Sequence, residues 1–216
     1  MNRKKIHLIS VIVVAILLIA VVVGFVYSKY VREDKFTGTA NISANLGQIQ
    51  VLESPAEKQD NGSYVLNKSA DPVTSNTYVV VLPGLDIPKN PYVYIKEKSS
   101  IPVYVYVEVL NGLGTSNLSF DLTENWISLD LKGTNGGDVY VYGAVIDGDK
   151  TPIVLDNNVV PDELIIPILA NDKVIVSDKL NRAATDLNLN FYAYMAEVAA
   201  GSDAKSAFTN AFNVTP

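Results

Sequence analysis

The sequence lacks the residues on which most catalytic and metal sites depend. It contains no cysteine, which excludes disulfide frameworks, thiolate metal sites and cysteine nucleophiles. Its single histidine, His7, lies near the N-terminus, so the remainder of the chain has no imidazole for a zinc site or for a Ser-His-Asp triad. These absences argue against an enzyme. We predict no catalytic residue, no metal ligand and no cofactor.

Charged residues are also scarce. They make up 19% of the chain, whereas hydrophobic residues make up 48%, a balance too apolar for a disordered protein. Seventeen lysines and arginines against 23 aspartates and glutamates give a net charge of -6, so the basic footprint of a nucleic-acid-binding protein is missing. A length of 216 residues suits one domain of ordinary size with a small appendage.

The longest apolar run lies at the N-terminus. Arg3, Lys4 and Lys5 form a basic start, and residues 6–28 then contain no charged side chain. At about 1.5 Å per residue, a helix over this stretch is long enough to cross a hydrocarbon core of ~30 Å. The basic flank stays on the cytoplasmic side, so the chain after Ser28 is expected outside the membrane. We predict that residues 1–28 direct export and contact the membrane at least transiently.

Two fates remain open for this export segment. An apolar core longer than the usual ~7–15 residues of a signal peptide favours a retained signal anchor. In contrast, Ser28 places a small residue at a cleavage position, which favours removal by a signal peptidase between Ser28 and Lys29.

Beyond the export segment, apolar and polar residues alternate in many short runs. In residues 101–110 the valines at 103, 105, 107 and 109 share one face, and Tyr104, Tyr106 and Glu108 share the other. Glycine, proline and asparagine separate the runs, a pattern typical of an antiparallel β-sandwich. The other predicted strands are residues 37–51, 78–82, 92–96, 138–146, 151–155, 163–168 and 187–198.

Only two stretches favour helix. Ser202 or Asp203 is a suitable N-cap for a short helix with an apolar stripe at i, i+3, i+4, i+7 and i+8. The stripe consists of Ala204, Ala207, Phe208, Ala211 and Phe212. Residues 177–184 are the second candidate. We predict an all-β fold with one or two short helices.

Two patterns each have a functional and a structural interpretation. Asp147-Gly148-Asp149 resembles the start of a calcium loop, but position 12 from Asp147 is Asn158 rather than glutamate, so a polar β-turn is the better interpretation. Tyrosines in or near the strands suit either a glycan platform or cross-strand pairs on the solvent face of a sheet, and we favour the pairs. These tyrosines are Tyr64, Tyr92, Tyr94, Tyr104, Tyr106, Tyr140 and Tyr142.

The segment after the apolar run, residues 29–39, is too charged to join a core by itself. It is either a short stalk or a strand offered to a neighbouring subunit, since an extended segment adds to an open sheet edge through main-chain hydrogen bonds. If the second interpretation holds, the head-to-tail contact does not close and produces a filament.

The order of motifs along the chain resembles that of the TasA/camelysin family of exported bacterial proteins. The pieces that carry the resemblance are the export signal, Gly38-Thr-Ala-Asn-Ile-Ser, Leu82-Pro-Gly, Lys89-Asn-Pro-Tyr-Val-Tyr-Ile, Pro102-Val-Tyr-Val-Tyr-Val, Asp138-Val-Tyr-Val-Tyr-Gly, Leu189-Asn-Phe-Tyr-Ala-Tyr and the alanine-phenylalanine helix. The resemblance implies a jelly-roll β-sandwich over residues 40–216 and removal of the signal by a dedicated signal peptidase.

It further implies a head-to-tail homopolymer that forms biofilm-matrix fibres, with the mature N-terminus as donor strand for the next subunit. By position, the donor residues are Tyr30, Val31, Phe36, Thr37 and Thr39.

Two alternatives accompany this fibre hypothesis. A retained helix and surface tyrosines suit a membrane-anchored binding or adhesion module. The metallopeptidase activity associated with camelysin is the remoter alternative, because the only histidine precedes the apolar run. In each case the N-terminus starts in the cytoplasm and the domain reaches the cell surface or the extracellular matrix.

Overall fold

A computed structural model of the chain describes residues 31–33, 48–79, 81–97, 99–114, 117–156, 163–179, 187–199 and 202–215. Strands dominate these residues, together with one helix and a short 3-10 turn at Ala170–Asp172. The strands are β1 (Val31–Glu33), β2 (Gln48–Leu52), β3 (Ala56–Lys58), β4 (Tyr64–Leu66), β5 (Ile87–Pro88), β6 (Tyr92–Glu97), β7 (Val103–Asn111), β8 (Leu118–Ser119), β9 (Trp126–Lys132), β10 (Asp138–Ile146), β11 (Asp149–Pro152), β12 (Leu164–Pro167), β13 (Lys173–Val176) and β14 (Leu189–Glu197), and the helix is α1 (Ala204–Phe212).

The strands form one large sheet and several small ones. The main sheet has the order β1-β14-β7-β10-β11, and β9 also pairs with β10. Two three-stranded sheets, β12-β6-β2 and β5-β13-β8, and the hairpin β3-β4 complete the set. Every strand pairing among the described residues is antiparallel, which confirms the predicted all-β class.

One apolar core joins the main sheet to the two three-stranded sheets. The four alternating valines of β7 point into it and are almost completely buried. Apolar side chains of β14 and of β2, β6, β12 and β13 meet them there, including Phe191, Met195, Ile49, Val51, Val93, Ile95, Ile166, Val174 and Val176. This shared core is a contiguous cluster of the kind that stabilises a single domain.

A second apolar cluster covers the opposite face of the main sheet, where α1 packs. Tyr104 and Tyr106 lie in it beside Phe208, so the solvent face that we predicted for these tyrosines is wrong. Tyr106 donates its hydroxyl hydrogen bond to the Ala204 carbonyl (2.9 Å), and burial raises its pKa above the ordinary range. Strand β7 is therefore buried on both faces, because α1 covers the face that alternation alone assigns to solvent.

The tyrosines of β10 point the other way. Antiparallel pairing sets Tyr140 opposite Val107 and Val141 opposite Tyr106. Residues directly opposite each other share a face, so Tyr140 and its neighbour Tyr142 pack half-buried against the shared core. The solvent face predicted for them is therefore wrong, whereas the predicted cross-strand pairing is confirmed for Tyr142, whose ring packs edge-on against Trp126 of β9 (centroids 5.9 Å apart). The β10 valines, in contrast, lie under α1.

The C-terminal helix begins and ends as its sequence predicts. The Asp203 carboxylate accepts a hydrogen bond from the Ser206 N–H (2.7 Å), and Asn213 ends the helix in the left-handed conformation at φ 53°. The buried residues of α1 are the five members of the predicted stripe, Ala204, Ala207, Phe208, Ala211 and Phe212. Together with Val214, they place the C-terminal end of the chain on the main sheet.

The Asp203 cap makes the stability of α1 dependent on pH. The hydrogen bond from the Ser206 N–H lowers the pKa of Asp203 below its ordinary value of 3.8. A lowered folded-state pKa contributes stability that is present above 3.8 and is lost as the pH falls through the folded value. We expect Asp203→Ala to have a lower melting temperature than the parent at neutral pH. This difference in melting temperature should shrink as the pH falls below 3.8, which melting curves recorded at several pH values would measure. Asp203→Asn, which keeps a neutral cap, should show a smaller dependence; a constant gap between Asp203→Ala and the parent would contradict this.

Several local predictions fail or are incomplete. The predicted strand over residues 78–82 is not seen at its described members, 78, 79, 81 and 82. Hydrogen bonds to side chains, rather than pairing with a neighbouring strand, hold this segment in position. The Val79 N–H donates to the Tyr64 hydroxyl (2.8 Å), and the Tyr78 hydroxyl donates to the Pro88 carbonyl (2.6 Å). Residues 177–179 form a turn rather than the start of a second helix. The sequence prediction missed β3, β4, β5, β8, β9 and β13, most of which are too short for a clear alternation.

The Asp147-Gly148 turn is confirmed as the tight connection between β10 and β11. Both residues have positive φ, 53° and 92°, as a two-residue hairpin of the primed type requires. The export segment at residues 1–28 lies outside the described residues. Within the described part of the chain, no helix combines the length and the hydrophobicity needed to span a membrane.

Candidate assembly edge

The candidate site is the outer edge of the main sheet, where β1 pairs with β14. The register sets Val31 opposite Ala196, Arg32 opposite Met195 and Glu33 opposite Tyr194. Of the predicted donor residues, Val31 therefore lies in a strand at a sheet edge. The others, Tyr30, Phe36, Thr37 and Thr39, lie outside the described residues, as do the predicted cleavage residues Ser28 and Lys29.

The backbone direction along β14 determines which groups face outward. Near its two ends, the Val198 N–H donates to the Pro102 carbonyl (3.0 Å) and the Asn188 carbonyl accepts from the Gly112 N–H (2.9 Å). Even-numbered residues of β14 therefore direct their N–H and C=O groups toward β7, and odd-numbered residues direct theirs outward. Met195 is odd, so Arg32 and Met195 form the hydrogen-bonded pair of the β1–β14 ladder, flanked by two non-hydrogen-bonded pairs.

Much of this outer edge has no strand partner among the described residues. Strand β14 pairs with β7 along all nine of its residues, but β1 covers only Tyr194–Ala196. Leu189, Phe191 and Ala193 also direct their N–H and C=O groups outward, and no described strand pairs with them there. An edge of this kind is a template on which another extended segment can pair.

Among the described strands, β9 and β11 each pair only with β10 and so are also edges of the main sheet. The β11 edge differs from β14 in how it discourages pairing. At the far end, β11 has the sequence Asp-Lys-Thr-Pro, and Lys150 and Pro152 are residues that natural edge strands use to prevent association. The sequence of β14, Leu-Asn-Phe-Tyr-Ala-Tyr-Met-Ala-Glu, contains no lysine, arginine or proline. The sheet therefore favours addition at β14 over addition at β11.

A buried carboxylate holds β14 in position. Glu108 of β7 is 0% exposed. Its Oε1 accepts from the backbone N–H groups of Asn135 and Gly137, both at 2.8 Å, and its Oε2 accepts from Asn135 Nδ2 (3.0 Å) and from the Tyr194 hydroxyl. Tyr194 lies on β14 opposite Glu33 and is itself 0% exposed. This network therefore ties β14 to β7 at the centre of the sheet.

Two glycines allow the β9–β10 turn to close around this carboxylate. A Cβ on Gly137 would lie 2.6 Å from the Val109 carbonyl oxygen and 2.9 Å from Glu108 Cγ, and a Cβ on Gly133 would meet the carboxyl carbon itself. Neither position has room for a side chain. The alternation in the sequence placed Glu108 on a polar strand face. The one sequence feature that set it apart is that it is the only charged residue in residues 101–111.

Metal chemistry finds no support in the described part of the chain, where no group of three or more histidine, aspartate or glutamate residues is arranged to hold an ion. No family model, curated protein or solved structure matches the chain. The geometry of the sheet edge is therefore the basis for a functional hypothesis.

Proposed function

We propose that this protein is an exported structural subunit of an extracellular fibre or biofilm matrix. Its jelly-roll β-sandwich assembles head to tail, and the N-terminal segment of one subunit adds as a strand to the β14 edge of the next. The observation that carries this proposal is the pairing of Val31–Glu33 with β14 by main-chain register at the edge of the main sheet. The resemblance to the TasA/camelysin family is consistent with it.

The physical basis is the set of outward main-chain groups of β14 with which no described strand pairs. A donor strand from another copy, held in the β1 register, would set Phe36 opposite Phe191 and Thr37 opposite Asn190. It would then reach the outward groups of Ala193, Phe191 and Leu189 as well as those of Met195. Main-chain hydrogen bonds supply affinity in such strand addition. Because donor and acceptor are different surfaces of the subunit, the contact repeats without closing.

A cross-linking experiment tests the proposal, since the sequence has no cysteine of its own. We would mix two variants of residues 29–216, one with Val31→Cys and the other with Ala196→Cys, let them assemble, and then oxidise them. These positions form a non-hydrogen-bonded pair, whose Cα atoms lie about 4.5 Å apart, within the range that a disulfide spans. We expect a disulfide-linked heterodimer on a non-reducing gel and filaments by negative-stain electron microscopy.

The control pairs Val31→Cys with Lys150→Cys on the β11 edge, where we expect no specific cross-link. Filaments without the Val31–Ala196 cross-link, or equal cross-linking to both edges, would contradict donor addition at β14. Persistent monomers of residues 29–216 would favour the membrane-anchored surface module instead.

A further inference from the structure

We propose that each subunit caps its own acceptor edge, so that fibre growth is a strand exchange rather than a simple addition. This inference rests on the proposed function. In the single chain, β1 occupies the edge position on β14 of the same molecule. The segment that serves as donor to the next subunit is therefore also the occupant that a donor must displace.

The cap pairs over a short length. Among the described residues it covers Val31–Glu33 only, and the one hydrogen-bonded pair within it is Arg32 with Met195. A donor from another copy, held in the same register, pairs with the same residues of β14. Exchange therefore replaces one copy of the segment by another, and the protein concentration sets its direction.

Tethering gives the cap an advantage over a donor on another molecule. A segment connected to its own acceptor has an effective concentration on the order of millimolar. An equally good segment on a free molecule at about 10 µM is then disfavoured roughly 100-fold. Self-capping therefore keeps dilute subunits monomeric and delays assembly until the local concentration is high.

The part of β14 that no described strand covers provides the starting point for exchange. Leu189, Phe191 and Ala193 direct main-chain groups outward without a described strand partner. An incoming segment can pair with these residues before β1 leaves, and its pairing then extends toward Met195 as β1 is displaced. The Glu108–Tyr194 hydrogen bond keeps β14 in the sheet during the exchange.

A disulfide within one molecule tests the cap. We would combine Val31→Cys and Ala196→Cys in a single chain of residues 29–216, which retains all members of both apolar clusters, and oxidise it at low concentration. We expect a monomer with an intramolecular disulfide. It should assemble at least ~100-fold more slowly than the reduced protein, in line with the loss of a free donor and a free acceptor, and dithiothreitol should restore assembly.

The result separates this inference from the proposed function. If the dilute double variant forms no intramolecular disulfide while the mixture of single-cysteine variants still cross-links in filaments, the cap is wrong and donor addition stands. An oxidised monomer that assembles at the rate of the reduced one would also overturn the cap. If filaments form and neither cross-link appears, the proposed function fails together with the cap.

A binding measurement provides a second test. A synthetic peptide of residues 29–39 should bind a protein that lacks residues 29–38 more tightly than it binds residues 29–216, because the intact protein already holds its own segment. The ratio of the two affinities is the effective concentration divided by the Kd of the peptide, about 100-fold for a Kd of about 10 µM. The described members of both apolar clusters lie within residues 49–214, and the shortened protein retains all of them. Equal affinity for the two proteins would overturn the cap.

Discussion

Glu108→Ala should lower the free energy of unfolding of residues 29–216 by about 3–5 kcal/mol. The substitution removes the acceptor for four hydrogen bonds, from the backbone N–H groups of Asn135 and Gly137, the Asn135 amide and the Tyr194 hydroxyl. It also leaves a cavity at a fully buried position. Buried donors without acceptors cost about 1–3 kcal/mol each, and relaxation of the turn offsets part of that sum. Guanidinium denaturation at neutral pH measures the difference.

Two further variants separate the network from a general effect of charge removal. Glu108→Gln keeps the shape and one acceptor oxygen but turns an NH2 group toward the donors, so its loss should be intermediate. Glu124→Ala removes an exposed carboxylate and should change stability by less than about 0.5 kcal/mol. A loss of less than about 1 kcal/mol for Glu108→Ala would show that the turn satisfies its own donors without this carboxylate.

Arg32→Pro should abolish filaments of residues 29–216, whereas Val31→Pro should leave them largely intact. Arg32 is opposite Met195, whose main-chain groups face outward. The N–H of Arg32 therefore donates to the Met195 carbonyl in the β1–β14 ladder. Proline removes that donor and places its ring against β14. The N–H of Val31 points away from β14, where its loss costs no ladder hydrogen bond. Electron microscopy and sedimentation of assembled protein measure the outcome.

Deletion of residues 29–38 gives the reference for complete loss of the donor. This variant should remain a folded monomer, because it keeps every described member of both apolar clusters. Normal fibres from the deletion, or equal loss with the two proline variants, would contradict pairing in the observed register.

Periodicity predicted the long elements well and the short ones poorly. Strands β6, β7, β10, β12 and β14 and helix α1 were predicted within a few residues, because each is long enough to show its period or is rich in β-branched and aromatic residues. Most of the strands of two to four residues were missed, since a stretch that short has no period, and β9 was missed although it has seven residues. Residues 78–82 were predicted as a strand for the opposite reason, since they show a strand-like composition. Among their described members, 78, 79, 81 and 82, none pairs with a described strand.

The candidate site was only partly accessible from the sequence. The charged character of residues 29–39 favoured either a stalk or a strand offered to a neighbouring subunit, and Val31 lies in a strand that pairs with β14 of the same chain. The acceptor could not be predicted, because an open edge is a property of strand order and β14 becomes an edge strand only through its place beside β7. The same holds for Glu108, whose burial depends on a turn that is distant in sequence.

By itself, the sequence determined that this is an antiparallel β protein with one capped C-terminal helix. These features follow from local alternation, turn residues and capping, which act over a few neighbouring residues. Only the tertiary structure decided which faces are buried and which edge is open. Helix α1 covers a face that alternation assigns to solvent, and the β9–β10 turn encloses a carboxylate from β7. Both depend on contacts between segments far apart in the chain, and no local pattern records them.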